Sequence, residues 1–237
     1  MTKAIRFHQT VGPEVLKLDE VDVGEPGDNQ ILVRHTSIGL NYIDTYHRSG
    51  LYPLPLPSMI GMEAAGIVLT TGKDVNDIKS GDRIAYACPP PGSYCEERLI
   101  DADKVVVIPS GVSDDVAAAM MLKGLTAQYL IRQIYKVSSN DTILIHAAAG
   151  GVGLIVCQWA KALGATVIGT VSTEEKANLA RSNGCDHTIL YTKEDFSERV
   201  LDITDGAKLP VVFDSIGKDT FEKSLDCLRP LGTMVSF

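Results

Sequence analysis

Up to about residue 110 the chain alternates short apolar, β-branched runs with turn residues; beyond residue 113 it changes to apolar runs separated by stretches of helical length. In the first region residues 3–9, 15–23, 30–40, 64–70, 82–87 and 104–108 read as strands. Gly12-Pro13, Gly24-Glu25-Pro26-Gly27-Asp28, Gly72-Lys73, Gly81 and Pro89-Pro90-Pro91-Gly92 punctuate them as turns and loops. Residues 42–48 predict a short helix that enters a Pro- and Leu-rich loop, 52–57, with no regular pattern of its own. Together these runs predict an antiparallel or barrel-like β domain.

Residues 114–135 are rich in Ala, Leu and Met and lack proline. They predict two helices or one broken helix, with Ser113 as N-cap. Strands are then expected at 142–148, 166–171, 187–191, 211–215 and 233–237, separated by helices at 151–163, 174–183, 194–204 and 220–228. Such alternation implies right-handed crossovers and a parallel doubly wound sheet. The fold class is therefore α/β, with a β-rich domain over 1–124 and a doubly wound domain over 125–237. Ligands of such sheets sit outside the carboxyl ends of the strands. With the last predicted strand ending at residue 237, the second domain is expected to be incomplete and the chain to be a fragment.

Composition places the chain among soluble globular proteins, with 45% hydrophobic and 22% charged residues. The balance of 22 Lys and Arg against 30 Asp and Glu, net −8, argues against bulk binding to nucleic acid or anionic lipid. Cys88, Cys95, Cys157, Cys185 and Cys227 are odd in number, spread out and lack a CxxC pair, so no disulfide framework or zinc lobe is expected. Charges within Met1-Thr2-Lys3-Ala4-Ile5-Arg6, with no long apolar region behind them, predict no secretory signal and a cytoplasmic protein. The uncharged stretch 142–160 approaches the length of a membrane span. Its three glycines, His146 and Gln158 fit a strand, tight turn and helix better.

Ala147-Ala148-Ala149-Gly150-Gly151-Val152-Gly153 follows a predicted strand and opens a predicted helix. Glycines there permit a tight turn and let backbone amides approach a pyrophosphate lying on the helix N-terminus. Strand, turn, helix and a second strand about twenty residues on are in the order a dinucleotide site needs; the plainer reading is a glycine-rich turn without ligand. Binders of the unphosphorylated cofactor usually place Asp or Glu at the end of that second strand. This chain offers Thr170-Val171-Ser172-Thr173-Glu174-Glu175-Lys176 instead. Ser172 and Thr173 can donate to a 2′-phosphate and Lys176 can neutralise it, which favours NADPH. Alternatively, and compatibly, Ser172 is an N-cap paired with Glu175 in a capping box, and Lys176 is a solvated charge.

The glycine turn with Cys157-Gln158-Trp159-Ala160-Lys161 after it is joined by Gly39-Leu40-Asn41-Tyr42-Ile43-Asp44, Arg48-Ser49-Gly50-Leu51-Tyr52-Pro53, Gly61-Met62-Glu63-Ala64-Ala65-Gly66 and Gly81-Asp82-Arg83. This set resembles the medium-chain dehydrogenase/reductase superfamily, and within it the zinc-independent NADPH:quinone oxidoreductases of the zeta-crystallin group. The resemblance covers essentially the whole chain. It implies a chaperonin-10-like catalytic domain and a Rossmann domain, in a family whose members continue well beyond residue 237. Zinc alcohol dehydrogenases of the superfamily place Cys where Asn41 falls and His where Met62 falls, and carry a four-Cys lobe near Cys88 and Cys95. Neither site can be built here, and Glu63 cannot replace the lost ligands, so no metal is expected.

By the same resemblance Asn41, Tyr46 and Tyr52 are candidate catalytic residues, and Tyr42, Lys123, Thr126 and Tyr129 complete the nicotinamide end. A Tyr hydroxyl would donate to a quinone oxygen; the alternative is a buried ring with its hydroxyl tied to backbone. Tyr191 would lie beside the 2′-phosphate and Ser215 by the ribose bridge. Phe237 would begin a segment that contacts the nicotinamide, without the Gly and Asn that normally follow. His146, at a buried strand end, reads as a satisfied core histidine rather than a base. The expected function is metal-free hydride transfer from NADPH to a small-molecule quinone. The alternatives are reduction of enals, enones or enoyl thioesters and, from another class, a non-catalytic crystallin-like NADPH-binding protein. Family likeness also implies a homodimer, paired near residues 233–237.

Overall fold

The computed structural model describes residues 1–87 and 89–237; Cys88 lies outside the described residues. Two compact units are present, Met1–Leu122 and Lys123–Phe237.

In the first unit the strands are β1 (Thr2–Phe7), β2 (Lys17–Val21), β3 (Gln30–Gly39), β4 (Ser58–Met59), β5 (Glu63–Thr71), β6 (Arg83–Ala87), β7 (Glu97–Asp101) and β8 (Val106–Val107). They form two antiparallel sheets, ordered β2-β1-β4 and β7-β3-β5-β6-β8. The antiparallel β domain expected from the pattern is therefore present. Alternation sets its core: Ile31 and Val33 of β3 pack with Ala64 and Val68 of β5, Ile84 and Tyr86 of β6, and Ile100 of β7. Strand β7 was not expected, because Glu97, Arg98 and Asp101 make its sequence look like a loop. Arg98 is nevertheless buried, with its guanidinium 5.3 Å from the centre of the Tyr86 ring, where the charge is compensated by the ring's negative face. At 15–23 the strand starts later than expected, after a 3₁₀ turn at Pro13–Val15, and at 104–108 only Val106–Val107 pairs, after a 3₁₀ turn at Ala102–Lys104.

Helix α1 (Tyr42–Ser49) is set by its ends. The Asp44 carboxylate accepts from the Asn41 N–H at 2.9 Å, satisfying an orphan donor of the first turn. Gly50 closes the last turn at φ 85°, a left-handed conformation suited to glycine.

Helix α2 (Asp114–Tyr129) contains the division between the units. Ser113 Oγ accepts from the Val116 N–H at 3.3 Å, as a cap should. The helix is not split at Gly124 but continues into a π-helical turn, Leu130–Ile134, closed by the Tyr135 N–H on the Leu130 carbonyl.

The second unit holds β9 (Thr142–Ile145), β10 (Thr166–Val171), β11 (His187–Leu190), β12 (Leu209–Asp214) and β13 (Leu228–Ser236), with α3 (Gly151–Ala162), α4 (Glu174–Ser182), α5 (Phe196–Ile203) and α6 (Phe221–Asp226). All pairings are parallel, in the order β11-β10-β9-β12-β13, which is the doubly wound arrangement expected. Both faces of the sheet are covered. Ile143, Ile145, Val167 and Phe213 pack against Val156 and Ala160 of α3 and Ala177 and Ala180 of α4. Leu144, Ile168, Ile189 and Val212 pack on the other face against Phe196 and Val200 of α5. Strand β13 begins at Leu228, five residues before the expected start. Leu228 pairs with Leu209, and the register then shifts so that Thr233 pairs with Val211. The irregularity between those pairs, with Leu231 at φ 63°, hides the first half of the strand from a period-2 reading.

Candidate functional site

At the carboxyl end of the second unit's sheet, the chain leaves β9 through a turn in which Ala147 has φ 52° and the Gly150 N–H bonds the Ala147 carbonyl at 2.8 Å. Gly150 is the N-cap of α3. The N–H groups of Gly151, Val152 and Gly153 fall in the first helical turn, where no intrahelical acceptor exists and the helix dipole is positive. Gly153 is required by packing: a Cβ there would lie 2.7 Å from the Ala148 carbonyl oxygen and closer still to that of Ala147. Gly151 is covered by the stem of Lys123, whose Cδ would be 2.7 Å from a Cβ at that position. The turn therefore holds backbone donors against a lysine stem, an arrangement suited to an anion.

Beside the turn lies a cavity of about 390 Å³ whose wall includes Gly150, Thr170, Ser172, Lys176, Tyr191 and Ile216. That is within the range of small-molecule sites, about 300–1,000 Å³. Lys176 Nζ is 3.3 Å from Ser172 Oγ, and no carboxylate among the described residues forms an ion pair with it. Tyr191 is 50% exposed. The cap of α4 is Thr173, whose Oγ1 accepts from the Lys176 N–H at 3.2 Å. This corrects the expectation that Ser172 caps the helix: the chain turns helical one residue later, leaving the Ser172 hydroxyl for the cavity.

Ser215 is exposed and is not part of this wall, whereas its neighbour Ile216 is. Ile216 is held by Asp214, a buried carboxylate whose Oδ1 accepts from Ile216 N at 2.8 Å, Gly217 N at 3.0 Å and Thr220 Oγ1 at 2.9 Å. The Phe237 N–H bonds the Asp214 carbonyl at 3.1 Å, and its ring packs half-buried against the core. His146 is buried between Thr170 Oγ1 and Ser224 Oγ, each 2.9 Å away, with the Phe196 ring edge-on at 4.9 Å. Burial pushes its pKa down to about 4. It is a satisfied core histidine, as expected. Thr170, Asp214 and Thr220 were not singled out from the sequence, because a buried hydroxyl or carboxylate at a strand end carries no spacing signal. Thr126 and Tyr129 lie on α2 after Lys123, Tyr129 half-exposed.

In the first unit Tyr42, Tyr46 and Tyr52 form one aromatic group. Ring centres are 5.4 Å apart for Tyr42 and Tyr46 and 5.3 Å for Tyr46 and Tyr52; the Tyr52 N–H bonds the Tyr46 carbonyl at 3.2 Å. Tyr42 is 76% and Tyr52 48% exposed. None of the three hydroxyls has a partner among the described residues, so the alternative of buried rings with hydroxyls tied to backbone does not hold. Asn41 is buried and donates from Nδ2 to Glu63 Oε1 at 2.8 Å, while Glu63 Oε2 accepts from the Leu122 N–H at 2.7 Å. Both carboxylate oxygens are thus engaged by protein donors. Asp44 accepts from the Tyr94 hydroxyl at 3.0 Å, and burial raises its pKa. Met62 is buried, and among the described residues no three His, Cys, Asp or Glu side chains are placed to hold a metal ion. No helix among the described residues is long and apolar enough to cross a membrane.

Two family models match: the alcohol dehydrogenase GroES-like domain over residues 27–139 and the zinc-binding dehydrogenase domain over 151–237. The chain is 55% identical to a quinone oxidoreductase of Pseudomonas aeruginosa, covering 100% of this chain and 73% of that protein. It is 51% identical, with the same shares covered, to a 2-haloacrylate reductase of a Burkholderia species. The structure superposes on Escherichia coli quinone oxidoreductase complexed with NADPH at a TM-score of 0.97 and 52% identity, covering 99% of this chain and 72% of that one.

Proposed function

The chain belongs to the quinone oxidoreductases of the medium-chain dehydrogenase/reductase superfamily, and on that premise we propose that it is an NADPH-dependent quinone reductase. The observation that carries the reading is Lys176, a cation without a carboxylate partner among the described residues, beside Ser172 and Tyr191 on the wall of the 390 Å³ cavity. NADPH fits this donor set. The amides of Gly151, Val152 and Gly153 would receive its pyrophosphate. Ser172, Thr173, Lys176 and Tyr191 would hold the 2′-phosphate, with Ser215 near the ribose bridge. Lys123, Thr126, Tyr129, Tyr42 and Phe237 would serve the nicotinamide half. When bound, NADPH supplies a hydride to the acceptor.

Reduction of a quinone also needs a donor for the oxygen on which charge develops. The hydroxyls of Tyr46 and Tyr52 are available for that hydrogen bond, since no protein group among the described residues uses them. Asn41 is held in one rotamer by Glu63 and would shape the same site by position rather than by proton transfer. No metal enters this scheme. We extend the reading to two domains divided near residue 124, and to a cytoplasmic homodimer, which sedimentation of the purified chain tests.

A second reading has one observation in its favour, the 51% identity to a 2-haloacrylate reductase: the same hydride geometry serves a conjugated C=C bond. Steady-state rates with NADPH on benzoquinone-type acceptors and on 2-alkenals discriminate. Faster turnover of quinones supports the first reading and faster turnover of alkenals the second. NADPH binding without turnover of either would leave a binding protein.

A further inference from the structure

His146 joins two hydroxyls beneath the cavity of the second unit: Nδ1 is 2.9 Å from Thr170 Oγ1 and Nε2 is 2.9 Å from Ser224 Oγ. All three residues are buried, His146 and Thr170 at 1% exposure and Ser224 at 0%. The direction of each hydrogen bond follows from the far end. Ser224 Oγ lies 2.8 Å from the Thr220 carbonyl oxygen, a group that can only accept. The single Ser224 proton goes there, so toward His146 the serine can only accept, and Nε2 carries the ring proton. Burial keeps the imidazole neutral at pH 7. Nδ1 is then a bare acceptor, and the Thr170 hydroxyl gives it its one proton.

Thr170 lines the cavity. No other described residue donates to its Oγ1, so that oxygen has lone pairs to offer and no proton. On the same wall Lys176 is a donor and Ser172 can donate, while of the carboxylates there Glu194 already receives the Leu190 N–H and Asp195 the Ser197 N–H and Lys223, so that Asp219 and Thr170 are the acceptors left to a ligand. We propose that His146 is a positioning residue that fixes Thr170 as a one-way hydrogen-bond acceptor, so that the cavity selects a nucleoside presenting a donor there. Resting on the NADPH reading, that donor is the exocyclic amine of the adenine or a hydroxyl of its ribose.

Two measurements test this. Long-range ¹H–¹⁵N correlation spectra of the free protein at pH 7 should find His146 protonated on Nε2; a proton on Nδ1 overturns the proposal whatever binds. Fluorescence titrations then compare NADPH with its hypoxanthine analogue, in which a carbonyl replaces the amine, on the wild type, Thr170→Val and Thr170→Ser. Thr170→Val should weaken NADPH by about three- to tenfold, the range of one hydrogen bond, and Thr170→Ser should restore it. If Thr170→Val also loses the preference for NADPH over the analogue, the donor is the amine; if affinity falls and the preference stays, it is the ribose hydroxyl. Unchanged NADPH affinity in Thr170→Val overturns the proposal. Should that variant fail to fold, Ser224→Ala serves: it removes the acceptor for Nε2, should move the proton to Nδ1 and should weaken NADPH, with preference shifting toward the analogue if the donor is the amine and unchanged if it is the ribose hydroxyl, and an unmoved tautomer counts against the relay. A wild-type chain that does not bind NADPH removes the cofactor reading and the selected ligand with it, while the tautomer is judged separately.

Discussion

Lys176 Nζ sits 3.3 Å from the Ser172 hydroxyl, whereas Lys223, on the wall of the same cavity, is 2.6 Å from Asp195 Oδ2. One lysine is neutralised within the protein and the other is not. Lys176→Ala should therefore weaken NADPH by about tenfold to a hundredfold, the range of a charge-assisted hydrogen bond, and leave NADH almost unchanged. Lys223→Ala should leave discrimination between the two nucleotides intact. Parallel fluorescence titrations check both, and equal losses for NADPH and NADH in Lys176→Ala would refute the assignment.

Gly153 is where α3 meets the end of β9, with two carbonyl oxygens in the space a Cβ would take. Gly153→Ala should cost about 1–3 kcal/mol, the usual penalty of overpacking, and weaken both nucleotides alike because the helix N-terminus is pushed off the turn. Urea unfolding with nucleotide titration measures the two effects. A stable variant with normal binding would mean that the turn relaxes freely.

Two histidines make stability depend on acid. Burial lowers both His35 and His146 to about 4 from an ordinary value near 6.5. Between those pH values the unfolded chain binds protons that the folded one refuses, so stability is full above about pH 6.5 and declines as pH falls toward 4. His35 is held neutral with the Cys95 carbonyl 2.8 Å from Nδ1 and the Tyr86 hydroxyl 2.9 Å from Nε2. Each group contributes up to about 3 kcal/mol across that window. Denaturant midpoints that stay flat from pH 7 to 4.5 would show that the imidazoles reach water.

Asn41→Ala takes from the buried Glu63 carboxylate the donor at 2.8 Å and should destabilise the first unit by about 1–3 kcal/mol. Asn41→Asp should do worse, because it sets a second carboxylate against the first. Thermal melts of the two variants, ranked against wild type, test that order. A more stable Asn41→Asp would mean that the pair shares a proton.

The sequence pattern predicts the parallel sheet well, since every strand from β9 to β12 is an apolar run between helices, and the glycine turn lies between its expected strand and helix. Each departure from the pattern has its own physical cause. Strand β7 hides because Arg98 is paid for by a tyrosine ring from another strand, and the first half of β13 hides because a bulge breaks its period. Thr173 rather than Ser172 caps α4 because the cap is decided by which residue keeps extended backbone, here Thr173 at φ −140° and ψ 160°, and two adjacent hydroxyl residues look alike in a sequence. Thr170 and Asp214 were invisible for a different reason. Their roles exist only where strands from distant parts of the chain end side by side.

Asp214 has a final consequence. With three donors closing on Oδ1, the segment carrying Ile216 is already folded against its own strand. A wall fixed in advance surrenders little chain entropy when a nucleotide enters, so the affinity of that part of the cavity measures the contacts made there, with almost nothing deducted for putting the loop in order.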